Sequence, residues 1–129
     1  QTGRARSINR EKLAVETVSA ALNDPGSFRS RVFYPYRHLI QTRRRQPAFH
    51  PNAEFEVLIV HPQIFAVRRR AENQTIAALT NMSPRRVPVK FADIGLKAPA
   101  LELLSHETIE GPAIDLEPYG YAWLTKVET

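Results

Sequence analysis

Most of the chemistry in this chain sits on arginines. The stretch HLIQTRRRQPAF, residues 38 to 49, sets Arg43, Arg44 and Arg45 between an apolar segment and Pro47, and IFAVRRR sets Arg68, Arg69 and Arg70 ahead of an AENQ turn. Guanidinium groups at this density could hold an anion, contact nucleic acid, or close a helix. The last carbonyls and the macrodipole of a helix favour cations by a few tenths to about 1 kcal/mol. Consecutive helical side chains point about 100° apart, so the first run cannot form one recognition face, and the helix-end reading is the one it supports. The second run alternates across a strand, which predicts a solvated hairpin end. No aromatic platform accompanies either run, so a basic nucleic-acid-binding domain is the alternative reading and nucleic acid not the expected partner.

Other reactive groups are sparse. His38, His50, His61 and His106 show no i, i+4 pairing, and two of them precede prolines, so no metal site is expected. There is no cysteine and no G-x-S-x-G turn, hence no catalytic nucleophile of those kinds. Glu54, Glu56, Glu102, Glu107, Glu110, Asp115 and Glu117 fall at strand edges and turns, where carboxylates are ordinarily solvated, and no acid/base pair stands out. Scattered glycines give no phosphate loop, and no cofactor is expected. Asn73-Gln-Thr75 and Asn81-Met-Ser83 fit the glycosylation sequon but read as chance matches.

The elements that must carry these groups follow from charge and periodicity. The 129 residues are 43% hydrophobic and 24% charged with net charge +5, an ordinary globular balance. Residues 1–50 hold ten Arg or Lys against three acids, and residues 51–129 hold eight against ten. Asn9 can cap a helix through EKLAVETVSAAL, which DPGS breaks. Ser27 then caps FRSRVFYPYRHLIQTRRRQ, whose stripe of Phe28, Val32, Phe33, Tyr36, Leu39 and Ile40 runs past Pro35 to a stop at Pro47. From residue 53 the period changes to short β-branched and aromatic runs separated by turn signals. This predicts an α+β chain: two N-terminal helices over residues 1–50, then an antiparallel sandwich or Greek-key domain of about seven strands over 51–129. Tyr119, Tyr121 and Trp123 at i, i+2, i+4 are expected on one strand face, as core filling or as carbohydrate contacts. With no apolar run of about 18 residues and no signal-peptide core, a soluble cytoplasmic chain is expected.

Three stretches read together resemble one family. HLIQTRRRQPAF resembles the last barrel helix of the α-amylase superfamily, glycoside hydrolase family thirteen. IFAVRRRAENQTIAALTNMSPRRVPV is similar to that family's first C-terminal hairpin, and LELLSHETIEGPAIDLEPYGYAWL to its closing strands. TGRARSINREKL resembles the segment after the eighth barrel strand in the sucrose phosphorylase and glucosylglycerate phosphorylase branch, through Arg6, Ile8, Asn9 and Arg10. The resemblance implies that Arg6 helps hold a glucosyl unit in an intact parent. Ser7 stands where sucrose phosphorylase has aspartate, which turns the expected substrate toward glucosylglycerate or a related glucoside. It further implies a C-terminal piece: the end of a TIM barrel and its helices, then the β-domain, with the catalytic carboxylates on upstream barrel strands. The chain alone is therefore expected to be non-catalytic and to partner the catalytic barrel. In isolation, its exposed helix faces are expected to pair in a twofold dimer.

Overall fold

A computed structural model describes residues 11–127. Contacts divide the chain into two compact units at His38/Leu39. In the first, helix α1 (Val15–Asn23) starts four residues later than the pattern predicts, and Ala14 offers no side-chain cap. The predicted cap, Asn9, lies outside the described residues. The DPGS turn then launches helix α2 (Phe28–Arg44) as expected. Ser27 Oγ accepts the Ser30 amide at 3.0 Å and donates to the Ala21 carbonyl, so one hydroxyl caps the second helix and ties back to the first. Pro35 lies inside α2 and removes one helical donor there.

The helix ends as predicted, just short of Pro47. The Arg45 and Gln46 amides bond back three residues, to Thr42 and Arg43, both at 3.1 Å. That tightening hands the chain to a 3₁₀ turn, Pro47–Phe49.

Eight strands follow: β1 (Glu54–His61), β2 (Ile64–Ala71), β3 (Gln74–Asn81), β4 (Val87–Lys90), β5 (Ala100–Glu102), β6 (Thr108–Ile109), β7 (Ala113–Leu116) and β8 (Tyr121–Lys126). Six form an antiparallel sheet in the order β1-β2-β3-β8-β5-β6, and β4 pairs β7 in a second, two-stranded sheet. The extra strand over the predicted seven is β6, two residues long and paired to β5. Leu79 and Leu124 of the large sheet pack with Val89 and Leu116 of the small one and with Phe91 and Ile94 of a 3₁₀ turn between β4 and β5. Phe91, Ile94, Leu79 and Leu124 are essentially inaccessible, and burying each is worth roughly 1.5–3 kcal/mol. The fold is thus α+β, two helices followed by an antiparallel β-domain.

Asn81 joins the two sheets. Its Nδ2 lies 2.6, 3.0 and 3.2 Å from the carbonyl oxygens of Arg85, Glu117 and Leu116, while its Oδ1 accepts the amide and hydroxyl of Ser83. A side chain this enclosed cannot accept a glycan, in keeping with a chance sequon. No described helix is long and apolar enough to cross a membrane.

Candidate functional site

The second arginine run departs from its predicted role. Strand alternation holds: Arg68 lies on the core side of β2 with Ala66, and Arg69 on the other. Arg70 is exposed, but its two neighbours are not a solvated hairpin end. Arg69 Nε and a terminal nitrogen donate to the carbonyls of Ala48 and His50, each at 2.8 Å. Gln74 adds to the clamp, accepting the Ala48 amide at 3.0 Å and donating to Gln46 at 2.6 Å. The Pro47–Phe49 turn is thereby pinned to the sheet, with Phe49 on Trp123 at a ring separation of 4.7 Å and Ala48 against Ile76 and Leu103. Arg68 pairs with Glu56 and presses on the Gly95 backbone, where φ is 72° and a Cβ would lie 2.4 Å from the guanidinium.

Glu102 also departs from expectation. It is buried rather than solvated, and accepts the amides of Leu104 (3.0 Å), Ser105 (2.6 Å) and Trp123 (2.9 Å). Three N–H donors replace the water a carboxylate would otherwise need. One carboxylate therefore fixes both the turn after β5 and its alignment with β8.

Of the three aromatics, Tyr119 precedes β8 at φ 55°, so it does not share the strand face. Tyr121 and Trp123 do. Trp123 is half covered by Phe49, which leaves Tyr121 open to solvent. Arg6 lies outside the described residues. Among the described residues no group of three His, Asp or Glu could hold a metal.

What remains is an uncovered surface. On the side of the large sheet away from the small one, register aligns Val57 with Val67, and Phe65, Thr80 and Tyr121 in a row across β2, β3 and β8. Phe55, Val57 and Phe65 are each more than half exposed. The 3₁₀ turn covers only the part of this face around Ile76 and Trp123. In the first unit, Phe28, Val32, Phe33 and Tyr36 of α2 are likewise exposed. Exposed apolar side chains grouped on one face, in each unit taken by itself, make a candidate interface.

No protein-family model matches the chain. Among curated proteins it is 41% identical over 85 residues to glucosylglycerate phosphorylase of Spirochaeta thermophila, covering 64% of this chain and 14% of that enzyme. It is 27% identical over 123 residues to glucosylglycerate phosphorylase of Escherichia coli, covering 95% of this chain and 21% of that one. With palatinase of Erwinia rhapontici the identity is 30% over 106 residues, covering 79% and 18%. The chain thus spans about a fifth or less of the length of these relatives. Among solved structures, the trehalulose synthase MutB from Pseudomonas mesoacidophila MX-45 superposes with a TM-score of 0.60 at 16% identity, over 83% of this chain and 19% of that one. AmyP in complex with maltose gives 0.59 at 16%, over 67% and 18%. At such identities the structural match speaks for the fold.

Proposed function

Because the chain belongs to the α-amylase superfamily, matching its C-terminal region in the glucosylglycerate phosphorylase-like branch, we propose that it is the non-catalytic C-terminal part of a glucosyl-transferring enzyme. Residues 1–50 supply the last barrel segment and helices, and residues 51–129 the β-domain that packs on the barrel. The outer face of the large sheet supports this reading: its apolar side chains are exposed among the described residues, and the relatives are several times longer. Phosphorolysis of a glucoside through a retained configuration needs two carboxylates flanking the bond. In this reading both come from the barrel, and Arg6 adds charge to the glucosyl subsite. The substrate of the intact enzyme is glucosylglycerate or a related glucoside, the class named by two of the relatives.

Two comparisons test this. The 129-residue chain is expected to release no glucose 1-phosphate from glucosylglycerate and phosphate, whereas the longer native polypeptide, sized by immunoblot of source-cell lysate, is expected to do so. V57D/F65D on the sheet face should leave the 129-residue chain within about 0.5 kcal/mol of the parent stability. In the longer polypeptide it should cost several kcal/mol, by burying unpaired charge. Equal, small effects in both would remove this face as the barrel contact. A second reading rests on the same exposure: alone, the chain covers its apolar surface by pairing with a second copy. Light scattering that returned a monomer at high concentration would remove that reading.

A further inference from the structure

We propose that the cavity at the end of α2 is a binding site for a phosphate-type oxyanion carried on a small molecule. The cavity is an open recess of about 460 Å³ lined by Arg43, Arg44, Arg45 and His50, with Ile40 and Phe49 among its apolar walls. That volume is in the range of small-ligand pockets.

Three observations carry the assignment. First, the backbone brings the three arginines to the wall of one recess. A continued helix would fan them about 100° apart, but α2 ends at Arg44 and the chain turns over Arg45 and Gln46, so all three line one cavity. Second, no carboxylate lines the cavity, and among the described residues the two ion pairs lie elsewhere, at Arg68–Glu56 and Arg86–Glu117. With no carboxylate in the lining, the planar guanidinium forks are open to a dianion, which they can hold bidentately. Third, the far wall is rigid. Arg69 and Gln74 hold Ala48 and His50 to the sheet, and Phe49 is seated on Trp123. His50 Nδ1 accepts the Asn52 amide at 3.2 Å, which fixes the ring to the turn that follows it.

The test is a nuclear magnetic resonance titration of the ¹⁵N-labelled 129-residue chain with inorganic phosphate at constant ionic strength. Saturable shifts are expected in the Arg43–Arg45 Nε–H signals and in residues 40–51. R44Q/R45Q should weaken binding about tenfold or more, since two charged donors to the anion are lost. R44K/R45K should fall between, keeping charge but losing the fork. Backbone signals outside residues 40–51 report whether each variant is folded. Shifts that chloride reproduces at equal ionic strength, or that appear equally at Arg70, Lys97 and Lys126, would overturn the site. Equal affinity for acetate would overturn the phosphate assignment.

Discussion

The chain carries two runs of three arginines, and the backbone beneath each decides what its side chains can reach. Arg68–Arg70 lie on a strand whose alternation sends successive side chains to opposite faces. Arg68 goes toward Gly95 and Glu56, and Arg69 toward two carbonyls of a turn some twenty residues earlier in sequence. Arg43–Arg45 lie where a helix stops, and all three open on the same cavity with no carboxylate among its lining. The same triplet is a fastener in one setting and a patch of uncompensated charge in the other. Partners already fixed by the fold consume a guanidinium's donors, and only the run without such partners has donors left for a ligand.

The largest break in this comparison should come from Arg69→Ala. It removes both bonds that pin the Pro47–Phe49 turn and leaves the enclosed Ala48 carbonyl without its donor, a loss of about 2–3 kcal/mol in chemical unfolding. A cost below about 0.5 kcal/mol would mean that Gln74 and the Phe49–Trp123 contact hold the turn without it. Next comes Gly95→Ala. The left-handed backbone and the close approach of Arg68 both oppose a Cβ, so about 1–2 kcal/mol should be lost. Because the clash is with the Arg68 guanidinium, Arg68→Met in the same background should restore part of that loss. Failure to do so would assign the whole effect to the backbone.

Much of this architecture was legible beforehand, for identifiable reasons. Ser27 has the chemistry of a helix cap and sits right after a proline-glycine turn, so α2 began where expected. The long strands announced themselves through β-branched alternation, but β6 did not. Thr108–Ile109 has too few residues to show a period, and its pairing depends on the Glu102 turn. Alternation gave the correct faces for Arg68 and Arg69 yet not what waits there, because Ala48, His50 and Gly95 are distant in sequence. Glu102 and Asn81 were hidden for the same reason. A polar residue at the end of a strand looks solvated until the segments that cover it are known.

The smallest expected effect sharpens the comparison from the other side. If Arg43–Arg45 are free of structural partners, then R44Q/R45Q should leave the unfolding midpoint in denaturant unchanged, within about 0.5 kcal/mol, or raise stability slightly by relieving like-charge repulsion. Helix-end cations ordinarily contribute a few tenths to about 1 kcal/mol through the macrodipole, a term of opposite sign. Adding salt separates the two. Screening should weaken the parent's repulsion and its macrodipole gain alike, but a net rise in parent stability with salt, absent in R44Q/R45Q, would show that repulsion dominates. A net fall with salt in the parent alone would show the arginines to be helix stabilisers first, with their crowding around the cavity energetically minor.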